Sequence, residues 1–229
     1  FFKRSLLESR TTAPSAPVIL PSGDIWFESS LRGESEKRYV FGVDPASEVD
    51  NFSIVVLEVN ADHRKVVHCW TTNRQQHKDQ LRSKMVDEDD FYSYCAKKIR
   101  QLMKAFPCVE IALDAQGGGI AVMEALHDKD KIGEGELPIW ADWLAEANHG
   151  LRKDFEDKIV LFPYFDSASL GIALETDKAT GKRYDTLEDC VMEIEELKDE
   201  LSMIIMTQTS TGRERWDTPE VKTGTGRKS

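Results

Sequence analysis

The chain has 229 residues, 40% hydrophobic and 31% charged, with a formal net charge of −11. That composition fits an ordinary globular protein with room for one good-sized domain plus an appendage, or two small domains. No apolar stretch is long enough to span a bilayer, and so acidic a balance excludes nucleic-acid binding by overall charge, leaving it to local basic patches.

Residues 1–37 have little periodicity and carry Pro14, Pro17 and Pro21. They read as a linker or the end of a preceding domain, with a short strand near Pro17 to Leu20. A start on Phe1-Phe2-Lys3, without an initiator Met or a signal-peptide core, looks like a fragment of something longer. At Arg38 the texture changes. Strands are predicted from Arg38 to Asp44, from Phe52 to Val59 and from Lys65 to Thr72, joined by short polar turns as an antiparallel meander.

The period then becomes helical. Asp89 or Asp90 can cap a helix carrying Phe91, Tyr94, Cys95, Ile99, Leu102 and Met103, which ends near Phe106-Pro107. A fourth strand, Val109 to Asp114, leads through Gly117-Gly118-Gly119 into a helix over Ile120 to Leu126. A helix-like stretch follows Ile139-Trp140, then a short strand at Ile159 to Pro163. Asp185-Thr186-Leu187-Glu188 resembles a capping box. It opens a long helix with Leu187, Val191, Ile194, Leu197, Leu201, Ile204 and Ile205 on its apolar face and Glu193, Glu195, Glu196 and Asp199 on a solvated one. A meander followed by alternating helices and strands predicts an α/β domain with a mixed sheet.

Cys69, Cys95, Cys108 and Cys190 have no CxxC spacing, and His63, His68, His77, His127 and His149 form no HExxH pair. Reduced thiols in a cytosolic compartment and surface or packing histidines are the reading. Asp44 and Asp114 stand out instead, each closing a short apolar strand. Taken singly, Asp44 before Pro45 suits a turn and Asp114 before the glycines suits a helix cap. Taken together, they sit at carboxyl ends of strands, where α/β proteins place ligands, and the intervening chain allows the two strands to run parallel. Two such carboxylates repel unless a hard cation such as Mg²⁺ or Mn²⁺ joins them.

Basic residues cluster at Arg74, Lys78, Arg82 and Lys84, and again at Arg213, Arg215, Lys222, Arg227 and Lys228. Each cluster by itself suits a solvated surface as well as a phosphate contact. The glycine run and Gly224-Thr225-Gly226-Arg227-Lys228-Ser229 lack the spacing of a phosphate loop, because Arg227 separates the last glycine from Lys228.

The run Tyr39-Val40-Phe41-Gly42-Val43-Asp44-Pro45-Ala46-Ser47, together with Asp114 before Gly117-Gly118-Gly119, resembles the C-terminal nuclease domain of the large terminase subunit of tailed bacteriophages. The late acidic helix and Arg215-Trp216-Asp217-Thr218-Pro219 add to the resemblance, which covers roughly 38–229. It implies a ribonuclease H-like mixed sheet, three antiparallel strands then parallel ones, flanked by helices. It also implies that residues 1–37 are a linker or the end of a preceding ATPase domain. Asp44 and Asp114 become catalytic ligands of two Mg²⁺ or Mn²⁺ ions in an endonuclease that cuts double-stranded DNA during genome packaging.

By the same resemblance, a third metal-binding carboxylate is expected beyond Ser229. Asp217 does not match that motif and suits a turn or cap, and a chain short of one ligand can test as inactive. The implied partners are double-stranded DNA, the portal and the small terminase subunit, with no membrane. The implied location is the cytoplasm of the infected host. Arg74, Lys78, Arg82, Lys84, Arg213 and Arg215 would hold DNA. Asp50 and Glu110 flank the site in sequence, and Glu110 has at most a supporting role because alternation puts it on the Asp114 face. The rival readings are another ribonuclease H-like nuclease or resolvase, an actin-like ATP-binding domain, and a non-catalytic phage assembly module.

Overall fold

The computed structural model describes residues 1–12, 18–19, 25–26, 32–45, 50–114, 118–127, 139–141, 147–163, 171, 174–175, 178–179, 185–212 and 214–217. The sequence-predicted meander is present as β4 (Arg38–Asp44), β5 (Phe52–Val59) and β6 (Arg64–Thr72). Strict alternation of buried and open positions along β4 marks a strand with one face in a core. The parallel strands β7 (Cys108–Leu113) and β8 (Ile139–Ala141) add beyond β4, while β9 (Val160–Pro163) and the short β1 (Thr11–Thr12) add beyond β6. The sheet order is β1-β9-β6-β5-β4-β7-β8, with β5 antiparallel to both neighbours and every other pairing parallel. This is the mixed α/β sheet that the sequence predicts. Near residue 18 the expected strand is β2 (Val18–Ile19), paired with β3 (Ile25–Trp26) in a separate ribbon.

Crossing from β6 to β7 requires passing over two strands, and α2 (Arg74–Arg82) and α3 (Phe91–Ala105) make that passage. Asp90 caps α3 by accepting from the Ser93 amide, and the helix ends at Phe106 because the residue before a proline is pushed out of the helical region. Helix α4 (Gly119–His127) follows β7. Tyr39, Phe41 and Val43 of β4, Phe52, Ile54 and Val56 of β5, and Ile111 and Leu113 of β7 bury one face of the sheet. Phe91, Cys95, Ile99, Val122 and Leu126 of α3 and α4 lie against them.

The opposite face is covered by segments remote in sequence. Phe2 and Leu7, which flank and occupy α1 (Arg4–Glu8), join Phe155 of α5 (Ala147–Glu156) and Phe162 of β9 over Val66 and Cys69. Cys190 and Ile194 of α6 (Leu187–Met203) complete this second core. β6 serves both cores because both its faces are covered, and the bulge between its Val66 and His68 pairings with β5 shifts the alternation so that Val66 and Cys69 share the second core while Val67 and Trp70 share the first. Thr186 and Asp189 form the capping box of α6. Just ahead, Asp185 takes a left-handed backbone (φ 52°), held by Lys98 Nζ at 2.6 Å and by the Trp70 indole N–H at 2.9 Å.

Three local expectations need correction. Helix α6 stops at Met203, and Ile205 is an exposed residue of β10 (Ile205–Gln208), which pairs with β11 (Glu214–Asp217) as a ribbon. The helical period cannot register this ending, since Ile204 and Ile205 continue the apolar stripe. Asp217 is accordingly a strand residue opposite Ile205, not a turn or cap residue. Glu193 does not lie on a solvated face. It is half-buried and accepts a hydrogen bond from Thr71 of β6, and burial, with Glu196, Asp189 and Glu200, pushes its carboxyl above the usual range.

Candidate active site

β4 and β7 are adjacent and parallel, with Gly42 opposite Ala112 and Val43 opposite Leu113. The Asp114 amide donates to the Val43 carbonyl at 3.1 Å, carrying the ladder one residue past the end of β7. Asp44 and Asp114 therefore leave the sheet side by side at one edge. Alternation puts both on the face opposite α3 and α4, because Val43 and Leu113 occupy the core between.

Asp44 keeps access to solvent, yet its carboxyl is held above the ordinary range. Protein crowding around it is the main cause, followed by the negative charges of Asp114 and Asp50. Asp50, flagged in sequence only as a neighbour of the first motif, is thus electrostatically part of this edge. Glu110 is on the same face as Asp114 but four residues back, roughly 13 Å along the strand, beside Val40.

Two close approaches set the start of α4. A Cβ on Gly119 would lie 2.0 Å from the Asp114 carbonyl oxygen, so only glycine lets α4 begin this close to the carboxylate strand. A Cβ on Gly118 would lie 2.6 Å from the Tyr92 ring and hydroxyl, so Tyr92 at the start of α3 closes against Gly118. Tyr92 also carries the Arg74 guanidinium, 4.9 Å from its ring centroid and from that of Phe91. Asn73, the cap of α2, donates to Asn51 at 3.1 Å, next to Asp50. Sequence reasoning found the carboxylates and Arg74 but not Tyr92 or the asparagine pair. Tyr92 is one residue from the Phe91 that marks the helix, and nothing in spacing joins it to a glycine run beyond β7.

The basic residues divide. Arg74 is at the carboxylate edge of the sheet, where β6 ends. Lys78, Arg82 and Lys84 are exposed farther along and beyond α2, with Arg82 at 3.1 Å from Asp79. Arg215 has its backbone in β11, and Arg213 lies outside the described residues. Two carboxylates at one edge offer the hard oxygen donors that Mg²⁺ or Mn²⁺ takes. Among the described residues, no group of three or more His, Cys, Asp or Glu side chains completes a metal cluster.

No protein-family model and no curated protein sequence matches the chain. Solved structures do. The large terminase of bacteriophage HK97 superposes with a TM-score of 0.53 at 12% identity, covering 94% of this chain and 39% of that one. The large terminase nuclease from thermophilic phage G20c with bound magnesium gives 0.51 at 13%, covering 82% and 75%. The large terminase of a second thermophilic bacteriophage gives 0.51 at 8%, covering 83% and 36%. The fold is that of a large terminase nuclease. The ribonuclease H-like sheet expected from the sequence is therefore present, a meander extended by parallel strands from its first member. At such identities the likeness speaks for architecture, and the chain spans under two fifths of each of the two whole large terminases.

Proposed function

We propose that this terminase-nuclease fold works as a metal-dependent endonuclease on double-stranded DNA in phage genome packaging. The observation that carries the reading is the placement of Asp44 and Asp114 on neighbouring parallel strand ends, where the Asp114 charge adds to the cost of ionising a crowded Asp44. Such a pair suits a divalent cation and a phosphodiester, and neither side chain belongs to a core. Asp44 and Asp114 would hold the metal, with the third carboxylate supplied from outside the described residues. Two Mg²⁺ or Mn²⁺ ions, bound there, would supply Lewis-acid activation of the phosphate and of the attacking water.

The chain's own contribution is positional. The Val43–Asp114 ladder bond sets the two carboxylates level, and Gly119 lets α4 brace the second strand end. The basic run from Arg74 to Lys84, with Arg213 and Arg215, supplies a positive surface for the duplex backbone. The portal and the small terminase subunit are the proposed partners, and the host cytoplasm is the proposed location. No helix among the described residues is long and apolar enough to cross a membrane. Residues 1–37 are proposed as the connection from an ATPase domain, docked here through Phe2 and Leu7.

The test is nicking of supercoiled plasmid by the full-length protein with Mg²⁺ or Mn²⁺. Asp44→Asn and Asp114→Asn should each lower the rate at least about 10³-fold, an increase in barrier of about 4 kcal/mol, with circular dichroism unchanged. Metal-dependent nicking that survives in purified Asp44→Asn overturns the proposal.

A further inference from the structure

We infer that Arg74 is a positioning residue that grips a backbone phosphate a short distance along the strand from the carboxylate pair; this rests on the endonuclease reading above. Cations in a chain with 41 acidic and 30 basic residues find carboxylate partners easily. Arg4, Arg82 and Arg152 each sit within 3.1 Å of one. Arg74 has no ion pair among the described residues. Its guanidinium lies over two rings, Phe91 and Tyr92, each at 4.9 Å, and its Nε is enclosed without a hydrogen-bond acceptor. Arg100 Nε is enclosed in the same way, so what sets Arg74 apart is the mount on two rings together with the lack of an ion pair among the described residues.

The ring contacts fix the guanidinium plane before any ligand arrives. A planar, fixed fork of N–H donors matches a phosphate, whereas a lysine ammonium would present only a point charge. The mount is itself tied to the site. Tyr92 closes against Gly118 just ahead of α4, and Asn73, beside Arg74, bonds Asn51 next to Asp50. The end of β6 is two strand spacings from β4, about 10 Å. On that scale Arg74 reaches a phosphate roughly one to three nucleotides from the one at the carboxylates. Lys78, Arg82 and Lys84, exposed and without such a mount, would add only diffuse attraction.

The experiment measures duplex DNA binding over a range of salt in the full-length Asp44→Asn protein, and nicking kinetics in the otherwise native protein. Arg74→Met should weaken binding about tenfold and reduce the slope of log K against log salt by about 0.9, one phosphate contact. Arg74→Lys should keep the slope but raise KM several-fold with little change in kcat. A purely structural Arg74 would lower the melting temperature in both variants without moving the slope or KM. That result, or an unchanged slope in folded Arg74→Met, overturns the inference. If Arg74→Met does not fold, the KM of Arg74→Lys decides alone. Absence of duplex binding and cleavage in the native protein would instead bring down the endonuclease reading itself.

Discussion

The two faces of the sheet are built in different ways. The face under α3 and α4 is closed by consecutive elements, so its apolar residues recur at helical and strand spacing within one stretch of chain. The opposite face is assembled from Phe2, Leu7, Phe155, Phe162, Cys190 and Ile194, drawn from the first few residues and from the last third of the chain. The carboxylates belong to this second face, at the edge where β4 and β7 stop. Continuous packing on one side holds the two strand ends in register, while the other side leaves the carboxylates open to a ligand.

If both faces are true cores, truncation should hurt each equally. Phe41→Ala and Phe2→Ala remove side chains that are 0% and 1% exposed. Each should cost about 3–5 kcal/mol in urea denaturation. A loss of only about 1 kcal/mol for Phe2→Ala would make the N-terminal segment an adherent strap and break the comparison. The Phe1 backbone nitrogen donates to the Ile204 carbonyl, and the Phe1 ring packs 4.0 Å from that of Trp216, so the larger outcome is expected.

The same contrast decides what the sequence could disclose. The meander, α3, β7 and the start of α6 are set by local signals: alternation along β4, Asp90 and Pro107 around α3, Thr186 ahead of α6. Asp44 and Asp114 were legible because each ends such a strand. What escaped depends on contacts between distant residues. α2 has a weakly apolar sequence whose buried member is His77, and its order comes from the Asn73–Gln76 capping box and from His77 stacked on Tyr94 at 4.7 Å. The β10–β11 ribbon interrupts an apolar stripe that local periodicity carries straight on. Glu193 looked solvated because nothing nearby in sequence announces Thr71.

A smaller effect sharpens the account of the carboxylate edge. Gly119→Ala places a methyl group 2.0 Å from the Asp114 carbonyl oxygen, an obstacle of backbone that cannot rotate away. The start of α4 or the Asp114 strand end must shift, at a cost of about 1–3 kcal/mol in stability. Cleavage should fall by more than the stability loss accounts for, since the shift falls on a ligand. Wild-type nicking in a folded Gly119→Ala protein would mean that the position of Asp114 is set from the sheet alone.

The smallest effect tests whether the edge of β4 and β7 raises the cost of a charge on Asp44. Asp44 has a folded pKa above its ordinary value of 3.8, from crowding first and then from Asp114 and Asp50. The folded state therefore holds that proton more tightly than the unfolded chain does. Relative to a neutral side chain, the native protein loses stability as pH climbs from the unfolded value through the folded one, and the deficit is constant above it. Asp44→Asn removes the deficit. Without divalent metal, the variant's advantage in urea midpoint should grow from about pH 4 and level off once the pH passes the raised folded pKa, at less than about 1 kcal/mol because solvent screens the exposed group. Adding Mg²⁺ at about pH 7 should reverse the order, raising the melting temperature of the native protein and leaving Asp44→Asn unmoved. Equal midpoints at every pH, with no response to Mg²⁺, would mean that the edge of β4 and β7 is an ordinary polar rim.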